Sequence, residues 1–232
     1  MNQQDHIVKS FDSELSRLYG EIQQMGDLAM SQLNAAVDVL NRRDSNAAAR
    51  VVANDDAIDA LETRISNDVL TLLALRQPMA RDLREVYSAL KISADIERIG
   101  DYASNVAKRS IVLNNSAAIP AAARIGRLAK TANQILADAL KAYQTSDAEL
   151  AMKVRDADAE LDGQYTSYFR ELLTYMMEDP RTIGQCTHLL FMAKNMERIG
   201  DHATNIAENT WFVVHGEMPE GERRKDDHTS EQ

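Results

Sequence analysis

Apolar positions recur every three or four residues along nearly the whole chain, and no segment alternates apolar with polar as a half-buried strand does. Between about residues 6 and 42 they fall at Phe11, Leu15, Leu18, Ile22, Met25, Ala29, Ala36 and Leu40. This near-heptad seam is of the kind that packs into left-handed bundles. Asn41 to Ser45 breaks the rhythm, and Asp44 or Ser45 is placed to cap a second helix over about 46–76 with the stripe Val51, Ile58, Leu61, Ile65 and Leu72. Arg76-Gln77-Pro78 ends that helix, and Pro78 opens a third reaching about Leu113. Asn114 to Pro120 is the best interior linker, and beyond it the layout repeats. A helix over about 120–144 is followed by one that starts at the capping box Ser146-Asp147-Ala148-Glu149 and reaches about Glu178. Asp179-Pro180-Arg181 then breaks the chain before a last helix to about His215.

The pattern predicts an all-α fold of six helices, arranged as two tandem three-helix bundles over residues 1–115 and 116–215 and related by a pseudo-twofold internal repeat. The polar residues 216–232 are expected to form a loosely ordered tail. The repeat is literal at one place: Glu97-Arg98-Ile99-Gly100-Asp101 returns 100 residues later as Glu197-Arg198-Ile199-Gly200-Asp201, and each string is followed four residues on by Asn105 or Asn205.

Residues i and i+4 of a helix point the same way, so Glu97 and Asp101 share a face, as do Glu197 and Asp201. In the first copy that face is led by Leu83, Val86, Leu90 and Ala94, and in the second by Ile183, Cys186, Leu190 and Ala193, so both acid pairs are read as continuing an apolar stripe. Like charges at this spacing repel, and carboxylates at a core-facing seam lose hydration unless a cation compensates. The preceding helix of each half has its own pair, Asp55 with Asp59 and Asp158 with Asp162, at an offset of 103. Glu62 adds a third acid in the first half where Tyr165 stands in the second. Adjacent antiparallel helices could bring each set of four carboxylates together, and an all-oxygen set suits Mg²⁺, Mn²⁺ or iron, with Asn105 and Asn205 as further amide donors. The plainer reading is a solvated helix face with Arg98 and Arg198 paired to Asp101 and Asp201. For Gly100 and Gly200 it is close helix packing.

Composition narrows the partners. The chain of 232 residues is 44% hydrophobic, enough for a sizeable core, and its net charge of −10 argues against nucleic acid, since the one basic run is Arg223-Arg224-Lys225. The single cysteine, Cys186, sits among apolar neighbours and reads as a buried hydrophobe in a reducing cytoplasm. With no signal segment and no run of about 18 apolar residues, membrane contact is expected only through partners. His202 is read as pointing away from Glu197, and the methionines as core filler. No Glu-x-x-His pair, phosphate-binding glycine loop, nucleophile elbow or Cys/His dyad occurs, so an enzyme is not expected.

The doubled Glu-Arg-Ile-Gly-Asp string with its trailing asparagine, the earlier Asp-x-x-x-Asp pairs and the segment Tyr175-Met176-Met177-Glu178-Asp179 closely resemble the PhoU family across nearly the whole chain. The resemblance implies a cytoplasmic, non-enzymatic regulator that represses the phosphate-starvation regulon and limits phosphate uptake. It would act as an adaptor between the ATPase subunit of the phosphate ABC transporter and the phosphate-sensing histidine kinase, commonly as a homodimer. The resemblance further implies metal clusters at Asp55, Asp59, Glu97, Asp101, Asp158, Asp162, Glu197 and Asp201, holding divalent or iron-type ions (Mg, Mn, Fe or Zn). An accessory role for another phosphate carrier and a di-metal carboxylate hydrolase are the alternatives.

Overall fold

The computed structural model describes residues 3–221, with side chains from residue 11 onward, and every regular element within them is helical. The first repeat comprises α1 (Gln3–Arg42), α2 (Ser45–Ala53), α3 (Asp56–Arg76) and α4 (Ala80–Leu113). The second comprises α5 (Arg124–Thr145), α6 (Ala148–Glu178) and α7 (Ile183–His215), with short 3₁₀ turns at Pro120–Ala123 and Pro180–Thr182.

The expected second helix is interrupted. Asn54 and Asp55 keep right-handed helical backbone, but the Asp55 amide reaches Val52 O at 3.4 Å in a tighter three-residue turn. Asn54, Asp55 and Asp56 are weak helix formers whose short polar side chains compete for the backbone, so α2 and α3 remain two segments of one rod. Its counterpart α6 runs unbroken. The expected capping box also moves by one residue: Ser146 ends α5 in the left-handed region (φ 51°), and Asp147 caps α6 by accepting from Leu150 N at 2.9 Å. Asp44 caps α2 in the same way through Ala47 N.

The two bundles lie side by side rather than end to end. α4 packs antiparallel along α7, and α1 along α5. The antiparallel register is visible where Arg84 donates to Val213 O near one end, Asp95 meets His202 in the middle, and Arg109 meets His188 near the other. One continuous apolar core therefore spans both repeats, including the fully buried Cys186.

Arg43 donates to the carbonyls of Leu113, Asn114 and Ser116, so the segment joining the repeats is clamped to the end of α1. The last helix stops at Gly216 (φ 85°), a left-handed position that glycine adopts at little cost. Residues 216–221 of the expected loose tail are tied down, because Arg155 of α6 donates to Glu220 O and Gly221 O. Residues 222–232 of that tail lie outside the described residues.

Candidate functional site

Helical register places the acids where the repeat demanded, but the stripes leading to them are not uniformly core. On α4 the buried face is Ile92, Ile96, Ile99, Ala103 and Val106, whereas Leu83 is 43% exposed and Ala94 is exposed. Glu97 and Asp101 thus border the core of the first repeat rather than continuing it. On α7 Ile183 is also exposed, yet Cys186 and Ala193 are buried and Glu197 is only 4% exposed. Sequence periodicity cannot distinguish the edge of a stripe from its centre, because that depends on which helix covers it.

In the first repeat, burial pushes the Glu97 carboxyl above its ordinary range, and Asp101, Asp59 and Glu62 add to the shift against the opposing Arg98. Asp59 is raised as well, by burial and then by Asp55 and Asp101. The four predicted acids, with Glu62, therefore share one electrostatic neighbourhood. Arg98 lies 3.3 Å from Glu97 and 3.1 Å from Asp101, an exposed pairing that neutralises part of the charge. Gln32 of α1 donates to Asp55 Oδ1 at 2.9 Å and to Gly100 O at 3.4 Å, fastening the acid to the glycine of the repeated string. Sequence reasoning passed over Gln32; its signal is one polar residue between Ala29, Leu33 and Ala36 on a core-facing stripe.

The second repeat draws Asp158, Asp162 and Glu197 deeper, all 4% exposed or less. Glu197 is raised by burial, opposed by Lys194 and reinforced by Asp201 and Asp162. Lys194 Nζ stands 2.8 Å from Glu197 Oε1, while the buried Oε2 has no hydrogen-bond partner. The i, i+3 spacing of Lys194 and Glu197 was the available sign of this pair. The glycines of the two strings have the same geometric role. A Cβ on Gly100 would stand 2.8 Å from Ile58 Cδ1 and 3.3 Å from Asp55 Oδ1, and one on Gly200 would strike Asp158 Oδ1 and lie 2.7 Å from Leu161 Cδ2. Glycine is what lets the helix carrying the Asp pair come this close.

A hard cation fits the donor chemistry here: carboxylate oxygens only, drawn together against their own repulsion, with one buried oxygen of Glu197 unengaged. As the side chains stand, however, no three His, Cys, Asp or Glu among the described residues form a ligand set around one point. Asn205 donates to Asp95 Oδ1 of α4 at 2.9 Å, so its amide nitrogen works across the seam between the repeats. Asn105 is half-buried on α4. His202 Nδ1 lies 2.7 Å from the same Asp95 oxygen, in line with its expected direction away from Glu197.

A cavity of about 910 Å³ opens beside the first acid cluster, bounded by Asp59, Glu62, Glu97 and Arg98 on one side and by His202, Asn205, Glu208 and Phe212 of α7 on the other. Tyr87, Lys91 and Met218 also line it. No helix within the described residues is long and apolar enough to cross a membrane.

This architecture, two helical repeats fused through one core with matched acid clusters, defines a duplicated helical-bundle protein built around paired carboxylate sites. The chain belongs to the PhoU family: the model of the PhoU domain matches it twice, over residues 22–110 and 125–210. It is 60% identical over 225 residues to a Xylella fastidiosa protein named phosphate-specific transport system accessory protein PhoU homolog, covering 97% of this chain and 95% of that protein. A Caulobacter vibrioides protein of the same name is 49% identical, covering 95% and 96%. Among solved structures, PhoU from Pseudomonas aeruginosa superposes with a TM-score of 0.85 at 39% identity over 89% of this chain and all of that one. The phosphate transport system regulatory protein PhoU from Streptococcus pneumoniae gives 0.83 at 28% identity, over 90% and 99%.

Proposed function

We propose that this protein is an accessory regulator of phosphate transport that represses the phosphate-starvation regulon when phosphate is plentiful. In this reading it works in the cytoplasm without catalysing a reaction. It couples the ATPase subunit of the phosphate transporter to the phosphate-sensing histidine kinase, and it does so as a homodimer. Support comes from the names of its relatives and from a fold that offers long helical faces on a rigid, jointly packed core.

The observation that carries the mechanism is the pair of equivalent acid clusters, in each of which a glutamate is held above its ordinary pKa by burial and neighbouring carboxylates. Asp55, Asp59, Glu97 and Asp101 would hold one hard metal ion or cluster, and Asp158, Asp162, Glu197 and Asp201 the other. Such ions would supply positive charge to relieve carboxylate repulsion between the two helices of each cluster. Gln32 orients Asp55, Lys194 holds one oxygen of Glu197, and Gly100 and Gly200 set the approach of the paired helices. A bound cation would regulate only by favouring one arrangement of these helices over another.

Alkaline phosphatase activity in a deletion strain grown in abundant phosphate tests the role. Constitutively high activity, restored to repression by the wild-type gene, is expected; normal repression in the deletion strain would falsify the regulatory reading and favour service to another phosphate carrier.

A further inference from the structure

The pseudo-twofold relates the two halves of one face along the α4–α7 seam, which meet where the Tyr102 and His202 rings lie 5.6 Å apart, and their chemistry is opposite. In the half that holds the cavity the carboxylates Asp59, Glu62, Asp95, Glu97 and Glu208 outnumber the cations Lys91 and Arg98. One hundred residues along, Glu208 corresponds to Lys108, Asn209 to Arg109 and Lys91 to Phe191, while Ala94 is replaced by Lys194. The second half is basic and aromatic although the chain as a whole is acidic.

Two cation–aromatic pairs cross the seam on this surface. The Arg109 guanidinium of α4 lies 4.2 Å from the ring centroid of Phe191 on α7, and Arg198 of α7 lies 5.7 Å from that of Tyr102 on α4. Arg109 and Tyr102 are seven residues apart on one helix, as are Phe191 and Arg198 on the other, so the pairs stand two turns apart, roughly 10 Å. Neither arginine has a carboxylate within ion-pair distance among the described residues, whereas Arg98, the counterpart of Arg198, is taken by Glu97 and Asp101. Arg109 instead faces His188 Nδ1 at 3.3 Å, and burial without a counter-ion pushes its pKa down. Phe191 is 51% exposed and Val112, one turn beyond Arg109, 47%. Arginine and aromatic side chains presented together with accessible apolar surface are the composition of binding hot spots, and an unneutralised guanidinium selects a carboxylate.

We propose that this strip docks an α-helical segment of a partner protein that carries carboxylates two turns apart, one for Arg109 and one for Arg198, with an apolar side chain between them against Phe191. The two arginine pairs stand roughly 10 Å apart along the seam, the span of two helical turns, which a single small anion cannot bridge and carboxylates at i and i+7 of a helix can. The inference depends neither on metal binding nor on the regulatory reading above.

The test titrates isotope-labelled full-length protein with a synthetic helical peptide bearing Glu at i and i+7 and Leu at i+3 and i+4, alongside its Glu→Gln form and inorganic phosphate. Backbone amide shifts confined to the stretches around Tyr102–Val112 and His188–Arg198 are expected with the Glu peptide alone, weakening with salt. Arg109→Glu with Arg198→Glu is expected to lower its affinity by about tenfold or more, and Phe191→Ala by several-fold. Should the double reversal lose helicity by circular dichroism, Arg109→Gln with Arg198→Gln carries the same comparison. Equal binding of the Gln peptide, shifts produced by inorganic phosphate at the same residues, or self-association lost in the double variant without peptide binding would each overturn the proposal. The last of these would assign the strip to a second copy of the chain. Since peptide binding and regulon repression are read separately, failure of one is distinguishable from failure of the other.

Discussion

Lys194 and Glu197 sit one turn apart on α7 with Nζ and Oε1 at 2.8 Å, and the corresponding position of the first repeat holds Ala94. The second acid cluster thus carries an internal cation that the first lacks, and the first makes do with the exposed Arg98. This pair is mostly buried, so the ammonium and the metal proposed for the cluster compete for one carboxylate. Lys194→Ala is expected to raise the affinity of the second cluster for Mn²⁺, and to leave the first unchanged. Isothermal titration of metal-free protein, with Glu97→Gln and Asp101→Asn silencing the first cluster, reads the effect.

Removing the glutamate and aspartate of either repeated string is expected to lower the metal content of purified protein, and removing both pairs to abolish it. Elemental analysis of Glu97→Gln with Asp101→Asn, of Glu197→Gln with Asp201→Asn, and of the fourfold variant decides this. Unchanged stoichiometry in the fourfold variant would refute the metal assignment while leaving the fold and family intact.

The raised pKa of Glu197 has a definite sign in stability. Its folded pKa lies above the unfolded value near 4.5, so between the two the native state binds more protons than the unfolded chain and stability falls as pH rises. The contribution is fully present below the unfolded pKa and is lost as pH passes upward through the folded one. Thermal melts of metal-free wild-type protein and Glu197→Gln, taken from about pH 4 to 8, should therefore diverge with increasing pH in favour of the Gln variant. Parallel curves would show that burial leaves Glu197 untouched.

Close approach at Gly200 predicts a cost for any side chain there. Gly200→Ala forces Asp158 and Leu161 to move and should destabilise the protein by about 1–3 kcal/mol. Gly184, in the first turn of α7 with nothing within 4 Å of an added Cβ, is the control, and Gly184→Ala should be neutral or stabilising by up to about 1 kcal/mol. Chemical denaturation of the two variants separates a packing requirement from a general glycine effect.

Arg155 is 9% exposed, ion-paired with Glu208 at 3.5 Å, and holds residues 220 and 221 through their carbonyls. Arg155→Met should free that segment without loss of helicity. Limited proteolysis should then cut after Glu217 or Glu220 several-fold faster than in wild type, and an unchanged rate would show that other contacts hold the segment.

Much of this protein is legible in its sequence. Helix number, the duplication and the presence of Asp55, Asp59, Glu97 and Asp101 in one half and Asp158, Asp162, Glu197 and Asp201 in the other follow from periodicity and spacing, which are local properties of a helix. The same locality explains the helix ends: Asp44 was visible as a cap because capping involves neighbours three residues apart, while the choice of Asp147 over Ser146 turned on one left-handed residue.

What local spacing cannot encode is which face another helix covers. Glu97 and Glu197 open the same five-residue string, yet one borders the core and the other is buried, because burial is decided by the packing of α3 and α6 against them. The antiparallel seam of α4 and α7 joins residues far apart in the chain, Asp95 with His202 and Arg109 with Phe191. No period within either helix could have announced those meetings. Tertiary packing alone made one half of the seam's face acidic and the other basic, since charge patterns that are scattered along the chain become a face only when the helices carrying them are laid side by side.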